Sequence, residues 1–464
     1  MDNIKLYIEK EYDNMFSSLD RLVTIPSVGS DACVVEIEGK MQEAPFGEQA
    51  LRVLYEVRDI AREMGLYAEI YANRMTVIDL YKEGDPVIGI LAHGDVVPPG
   101  SGWSYDPFKT TVVGENIYGR GTIDDKGAVV TALYAMKYIK DNYPEYSKNI
   151  RLLVGSDEER GSADIEYYKQ HETLPKYVFT PDADYPVINI EKGRGAGTFT
   201  KKIPTSCLLK ASGGTVINAV PDRAYATFIG LTVEELKAAC NKCTANVTFN
   251  FTENEDNAVD LCVCGIGAHA SYLEGSENAI TAFFQLMAIL DSRWQGLQMI
   301  APHGDIYGET LGINWADDIS GKTTCSVDLM SYENGILTCK FDVRFPVCVS
   351  GAQIREKLQN GFLQAGCEMI EFSNSEPHYT SEDSPLVKIL LKVYEQVTGQ
   401  KGKALAVGGS TYAHGIPGAV AFGPQLPDVD NHLHAEDEFI SIDNFKLAAE
   451  MMCNALVLMD KEQL

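Results

Sequence analysis

The pattern of apolar and polar positions changes character twice along the chain. Over the first 190 residues, amphipathic stretches alternate with short apolar runs. LYIEKEYDNMFSSLDRLVTI, FGEQALRVLYEVRDIAREMG and KGAVVTALYAMKYIKDNY read as helices. In the last of these, Val129, Ala132, Leu133 and Met136 recur at i, i+3, i+4 and i+7, the spacing of one helix face. Between the helices lie MTVIDLY, PVIGILAH, NIRLLVGS and KYVFTPD, runs with few polar interruptions. Such runs suit strands covered on both faces in a mostly parallel sheet, so this segment predicts an α/β fold.

From Glu191 to about residue 380 the texture turns to β-branched strands (GAGTFTKKI, RAYATFIGL, ANVTFNFT, GILTCKFDVRF) with two or three helices between them, an α+β pattern. Beyond it the first texture returns. Residues 384–399 read as a helix, ALAVGG and AVAFG as buried strands, and SIDNFKLAAEMMCNALVLMD as a closing amphipathic helix capped by Ser441. The expected organisation is one α/β domain with a mostly parallel sheet, over 1–190 and 381–464, interrupted by an inserted α+β domain over 191–380.

Composition narrows the classes of function. At 464 residues, 45% hydrophobic and 23% charged, the chain can bury a sizeable core. Its 39 Lys and Arg against 66 Asp and Glu leave a net charge of −27, which repels nucleic acid and anionic membrane surfaces, so neither is an expected partner. The opening MDNIKLYIEKEYDNMF has no apolar core, and no uninterrupted apolar run reaches the roughly 18 residues of a membrane span, so a cytoplasmic protein is expected. Eleven cysteines, spread from Cys33 to Cys453, lack the dense spacing of a disulfide framework and read as reduced thiols. Cys240-x-x-Cys243 and Cys262-x-Cys264 loosely resemble a zinc ribbon, but the second spacing is wrong for one. They read instead as parts of a helix, LTVEELKAACNKC, and a strand, AVDLCVCGIG, whose period of two puts Cys262 and Cys264 on one buried face.

The chemistry gathers at strand ends. PVIGILAHGD ends at His93 and Asp95, RLLVGSDEE at Glu158 and Glu159, and YVFTPD at Asp182, while Asp124 and Asp125 stand just ahead of a helix. After the AVAFG strand comes DNHLHAEDE, with His432 and His434. In an open α/β sheet the ligand crevice lies outside the carboxyl ends of the strands, so these groups would converge there. Any one of them alone is more often a helix cap, a solvated carboxylate or an ordinary histidine. Their joint occurrence at four strand ends points to a metal. The set is too acidic for one structural zinc and suits two divalent cations with a bridging carboxylate and a bridging water.

The segments HGDVVPPGSGW with Trp103, YGRGTIDDKG, GSDEERGS, TPDADYP and HLHAEDEFI resemble, in order and spacing, the dinuclear metallopeptidase family that includes carnosinase, aminoacylase, succinyl-diaminopimelate desuccinylase and the bacterial dipeptidases of the PepV and Sapep type. The resemblance spans almost the whole chain. It implies that His93, Asp124, Glu159, Asp182 and His434 are metal ligands, with Asp124 the bridge. It also implies that Glu158 is the general base, that Asp95 steadies the His93 imidazole, and that the Asp124–Asp125 peptide is cis. In the inserted domain, GIGAHASYLEGSENAI resembles the family's lid segment, making His269 the oxyanion donor. Asn218 in VINAVPD and Arg344 in FDVRF match positions that bind the substrate's terminal carboxylate, and Gly409 lies in a substrate-binding glycine segment. Taken alone, Arg344 would pair with nearby Asp342. One departure is visible: GGSTYAH, from Gly408 to His414, has a histidine where relatives carry arginine, which bears on substrate range.

The resulting expectation is a dipeptidase acting on small peptides with free ends through two divalent ions per chain, zinc first and manganese or cobalt as alternatives. The rivals are an N-acyl amino acid amidohydrolase with the same ligands and a catalytically inactive metal-binding homologue. Retention of Glu158 argues against the second rival. The length of the inserted domain, taken as a lid that supplies His269 to its own chain, makes a monomer the expected state.

Overall fold

A computed structural model describes residues 2–254, 258–270, 272–462 and 464. The chain forms two compact units. The first comprises Met1–Asn189, Tyr379–Leu405 and Ser410–Leu464, and the second Ile190–His378 with Ala406–Gly409.

The first unit is built on a nine-stranded sheet. At its centre Val420–Ala421, Tyr177–Thr180, Pro86–His93 and Asn149–Gly155 run parallel to one another. The strands on either side, among them Val187–Glu191, Met75–Asp79 and Tyr67–Tyr71, are antiparallel to their neighbours. MTVIDLY is therefore a strand, as expected, but it does not join the parallel set. Ala72 (φ 49) and Asn73 (φ 55) turn the chain tightly between Tyr71 and Met75, and so short a connection can join only antiparallel strands.

Both faces of the parallel centre are covered, which accounts for its apolar runs. Ile88, Ile90, Ala92, Ile150, Leu152 and Val154 enter the main core, while Leu91 and Leu153, one residue out of phase, enter a smaller cluster with Tyr168 and Tyr412. Helix Lys126–Asn142 is buried on nearly all sides, between the sheet and helices Asp2–Val23 and Ile442–Lys461. Local chemistry sets the helix starts: Ser441 Oγ accepts from Asn444 N at 3.1 Å, and Pro385 follows the Ser384 cap.

The second unit carries an eight-stranded sheet with every neighbouring pair antiparallel. Helices Val233–Cys240, Ala279–Leu290 and Gly351–Gln364 contribute to its core, where Trp294 lies against Phe283, Phe284 and Tyr332. In strand Ala258–Cys264 the expected placement of the cysteines is corrected. Val259, Leu261 and Val263 take the core side, and Cys262 and Cys264 lie half-buried on the other face, sulfurs 3.6 Å apart. Three branched aliphatic side chains bury more apolar surface than two thiols, so they set the orientation of the strand. Cys240 and Cys243 pack toward the core, and the eleven cysteines are free. No helix among the described residues is long and apolar enough to cross a membrane.

Trp294 is fully buried, and its indole N–H has no hydrogen-bond partner among the described residues. Trp294→Ala is expected to cost about 3–5 kcal/mol in urea denaturation followed by circular dichroism. Trp294→Phe should cost only about 1–2 kcal/mol, since it keeps most of the ring and removes an unpaired donor. Equal losses would show that packing around the indole does not set stability.

Candidate metal centre

Parallel pairing brings the carboxyl ends of neighbouring strands to one edge. His93, the last residue of its strand, is in register with Gly155, and a single turn of 3-10 helix, Glu158–Arg160, follows just beyond that strand. Asp182 lies two residues past the end of Tyr177–Thr180, the neighbour on the other side. Asp125 stands at the N-cap position of helix Lys126–Asn142 without a capping bond from its side chain, and the Asp124–Asp125 peptide is cis.

Two groups of three donors result, His93 with Asp124 and Asp182, and Asp124 with Glu159 and His434, the ligand atoms of each lying within 4.8 Å of one another. His93 Nε2 is 3.0 Å from Asp124 Oδ1 and 3.7 Å from Asp182 Oδ2. His434 Nε2 is 2.9 Å from Asp124 Oδ2 and 3.1 Å from Glu159 Oε1. Asp124 thus presents one oxygen to each group. Glu158 belongs to neither, although its carboxyl is crowded by Asp182, Glu159 and Asp124. His432 also stays outside both groups, its Nδ1 3.0 Å from the Glu436 carbonyl.

The electrostatics describe a site short of positive charge. Burial alone would lower the pKa of His93, but its bonds to Asp124 and Asp95 outweigh that and hold it well above the ordinary imidazole value. His434 rises to about 11 in the same way, through Asp124 and Glu159. Burial opposes ionisation of Asp124, yet the two imidazoles keep it below the usual carboxylate range. Burial first, then neighbouring carboxylates, push Glu158 and Asp182 well above theirs. Glu159 Oε1 is buried, with the His434 imidazole 3.1 Å away as its neighbour. Four carboxylates around two imidazoles, with one aspartate shared between two groups of donors, fit two divalent cations.

A further set of side chains holds the loops. His93 Nδ1 lies 3.0 Å from the Asp95 main-chain carbonyl and 3.4 Å from its carboxylate. Donation to that carbonyl keeps Nε2, the nitrogen available to a cation, facing Asp124 and Asp182. The Asp95 carboxylate also accepts from the main-chain N–H groups of Glu158 (3.3 Å) and Glu159 (3.1 Å), so Asp95 touches both the imidazole and that turn. Asp164 and Tyr412 were missed in the sequence. Asp164 Oδ2 accepts from Ser156 N at 2.6 Å, Asp157 N at 2.9 Å and the Tyr412 hydroxyl at 2.5 Å, and the Tyr412 ring stands edge-on to His93. An aspartate in the first turn of a helix reads as an ordinary dipole partner, and nothing local marks its longer reach. The loop of His434 adopts left-handed backbone at His432 (φ 58), His434 (φ 59) and Asp437 (φ 56), on the order of 1 kcal/mol each, which its surroundings must hold in place.

Four of the expected site residues lie in the second unit. His269 is exposed on the two-residue strand Ala268–His269, paired with Ala219–Val220, and Ala270 N donates to Asn218 O at 2.8 Å, so Asn218 and His269 are neighbours. Asn218 (φ 80) is tied by its N–H to Asp328. Arg344 is buried, with Nε and one terminal nitrogen on the Asp342 carboxylate at 2.6 and 3.2 Å and the other donating to Gly408 O at 2.7 Å. Gly409 has open space where a side chain would start. His414, in the first unit, is half-buried, with its N–H donating to Thr411 O.

A mixed sheet whose parallel strands end in imidazoles and carboxylates sharing one aspartate is the framework of a metal-dependent hydrolase. The pattern of peptidase family M20/M25/M40 matches residues 89–457, and the chain belongs to that family. YtjP of Bacillus subtilis (strain 168) is 34% identical over 426 residues, covering 89% of this chain and 91% of its own. The Beta-Ala-Xaa dipeptidase of Lactobacillus delbrueckii subsp. lactis is 32% identical over 474 residues and covers 99% of each chain. The M20 family metallo-carboxypeptidase Sso-CP2 from Sulfolobus solfataricus shares the fold with a TM-score of 0.59 at 18% identity, over 96% of this chain and 99% of that one.

A Cβ at Gly155 would fall 2.0 Å from the Tyr412 hydroxyl and 2.3 Å from Asp164 Oδ2. Gly155→Ala should therefore destabilise the protein by about 1–3 kcal/mol and lower its metal content. Gly409→Ala, with nothing to meet, should stay within about 0.5 kcal/mol of wild type. Thermal unfolding and metal analysis of both variants decide the matter, and a Gly155→Ala protein as stable as wild type would contradict the close packing.

Proposed function

We propose that the chain is a metal-dependent dipeptidase that hydrolyses dipeptides with free amino and carboxyl ends. The observation that carries this reading is the pair of donor groups sharing Asp124, with Glu158 beside them and in neither. Membership of a peptidase family, and similarity along the whole chain to a Beta-Ala-Xaa dipeptidase, support it. Zinc suits the mixed imidazole and carboxylate donors, with manganese and cobalt as alternatives. His93, Asp124 and Asp182 on one side and Asp124, Glu159 and His434 on the other would hold two divalent cations, which would supply Lewis-acid polarisation of the scissile carbonyl and make the attacking water more acidic.

Glu158 accepts a proton from that water and later returns it to the leaving amine. Asp95 keeps Glu158 and Glu159 apart in role by fixing the turn that carries both. His269 donates to the developing oxyanion, and Asn218 and Arg344 bind the terminal carboxylate, with Gly409 beside them in the substrate segment. A guanidinium has five N–H donors, and the three bonds of Arg344 to Asp342 and Gly408 leave two for a carboxylate. The protein works as a monomer in the cytoplasm, the inserted domain supplying His269 to its own chain.

Metal-stripped protein reloaded with zinc, manganese or cobalt is expected to cleave dipeptides, and to leave the matching tripeptides and N-acyl amino acids largely intact. Faster turnover of the N-acyl amino acids would move the chain to the amidohydrolases. Glu158→Ala should lower turnover ~10²–10⁴-fold with metal content nearly unchanged. Loss of metal from that variant, or wild-type activity in it, would assign Glu158 another role.

Mixing Glu158→Ala chains with His269→Ala chains tests where the oxyanion donor comes from. If each chain supplies its own, the mixture stays inactive. Recovery of a substantial share of wild-type rate would mean that His269 acts across a dimer.

A further inference from the structure

The loop that carries His434 is fastened by a charge pair that the chemistry above does not use. Arg120 and Glu438 are both fully buried. One terminal nitrogen of Arg120 donates to Glu438 Oε2 at 2.6 Å, and the other donates to the carbonyl of Ala435, the residue after His434, at 3.0 Å. Glu438 Oε1 accepts from Gly121 N at 2.9 Å and from Ile123 N, the residue before Asp124, at 3.1 Å. The Trp103 ring lies 5.2 Å from the guanidinium, and Ser104 N donates to Asp437 Oδ1 at 2.7 Å. One buried pair is thus bonded to the main chain next to Asp124 and next to His434, whose side chains meet at 2.9 Å.

Stability is a poor explanation for this arrangement. Two desolvated charges are often matched or bettered by apolar side chains of the same volume, and here Arg120 Nε is also buried without a partner among the described residues. What the pair supplies is direction. A planar fork reaches Glu438 and Ala435 O together, which an ammonium cannot do in the same geometry. The His434 loop, left-handed at three positions and with its imidazole about half exposed, has need of such a tether.

The geometry points to Arg120 as a positioning residue that acts through His434: paired with Glu438, it sets the spacing of His434 from Asp124 and thereby the affinity of the cation site formed by Asp124, Glu159 and His434. The site formed by His93, Asp124 and Asp182 lacks His434 and depends on Arg120 far less. This rests on the two-cation reading above.

The test is stepwise removal of zinc from the loaded protein by increasing chelator, with bound metal counted per chain, for wild type, Arg120→Lys, His434→Ala and the double variant. Arg120→Lys keeps the charge beside Glu438 and gives up the simultaneous bond to Ala435 O. One of its two ions is expected to leave at chelator activities at least tenfold lower than in wild type, with the other within about threefold. In the His434→Ala background, Arg120→Lys should change metal release no further. Two ions released as in wild type, or an undiminished effect of Arg120→Lys without His434, would overturn the proposal. Should Arg120→Lys lack a cooperative thermal transition, Arg120→Gln, which also gives up the fork and leaves the Glu438 bonds to Gly121 and Ile123 in place, carries the same comparison. A wild-type chain that holds fewer than two ions would instead overturn the two-cation reading.

Discussion

Repulsion among buried carboxylates is the constraint on which the rest of this structure depends. Asp124, Glu158, Glu159 and Asp182 are gathered at one edge of a sheet around two imidazoles, and left to themselves they would separate or take up protons. Folding energy from elsewhere keeps them together. Strands Pro86–His93, Asn149–Gly155 and Tyr177–Thr180 are anchored by the core beneath them, and helix Lys126–Asn142, buried on nearly all sides, holds Asp124 at its start. Divalent cations relieve the repulsion that the fold imposes, so metal binding and the integrity of this edge are linked.

A second tier of carboxylates does different work. Asp95 accepts from the main chain of Glu158 and Glu159, Asp164 from Ser156 and Asp157, Asp125 from His93, and Glu438 from Gly121 and Ile123. Each fastens a loop by its backbone and leaves the ligand side chains free to face inward. Ligating groups on loops lose affinity quickly when their backbone drifts, and charge-assisted bonds to N–H groups are among the stronger restraints available.

The second unit follows another logic. Its sheet is antiparallel throughout, and its candidate residues are placed by short pairings and fixed turns: Asn218 by a left-handed backbone and its bond to Asp328, His269 by its pairing with Ala219. Arg344 is already bonded to Asp342 and Gly408, so any ligand it meets is recognised by a guanidinium whose plane is preset.

The sequence by itself determined the element types of the parallel centre, the main helices packed on it and the Ser441 cap, because apolar period and capping chemistry are local properties. PVIGILAH, NIRLLVGS and KYVFTPD read as buried strands and form the parallel centre, and Ser441 caps the closing helix. The ligand-type residues were also legible: His93, Glu159 and Asp182 stand at or just past the ends of apolar runs, and Asp124 just ahead of a helix. Only the tertiary structure decided that MTVIDLY runs antiparallel, that Cys262 and Cys264 turn away from the core, and that Asp164, Tyr412 and the Arg120–Glu438 pair secure the loops of the centre. Those outcomes depend on which strand lies beside which and on which side chains compete for the same buried face. Such competition is settled between residues as far apart as Arg120 and Glu438, over distances along the chain that no local pattern records.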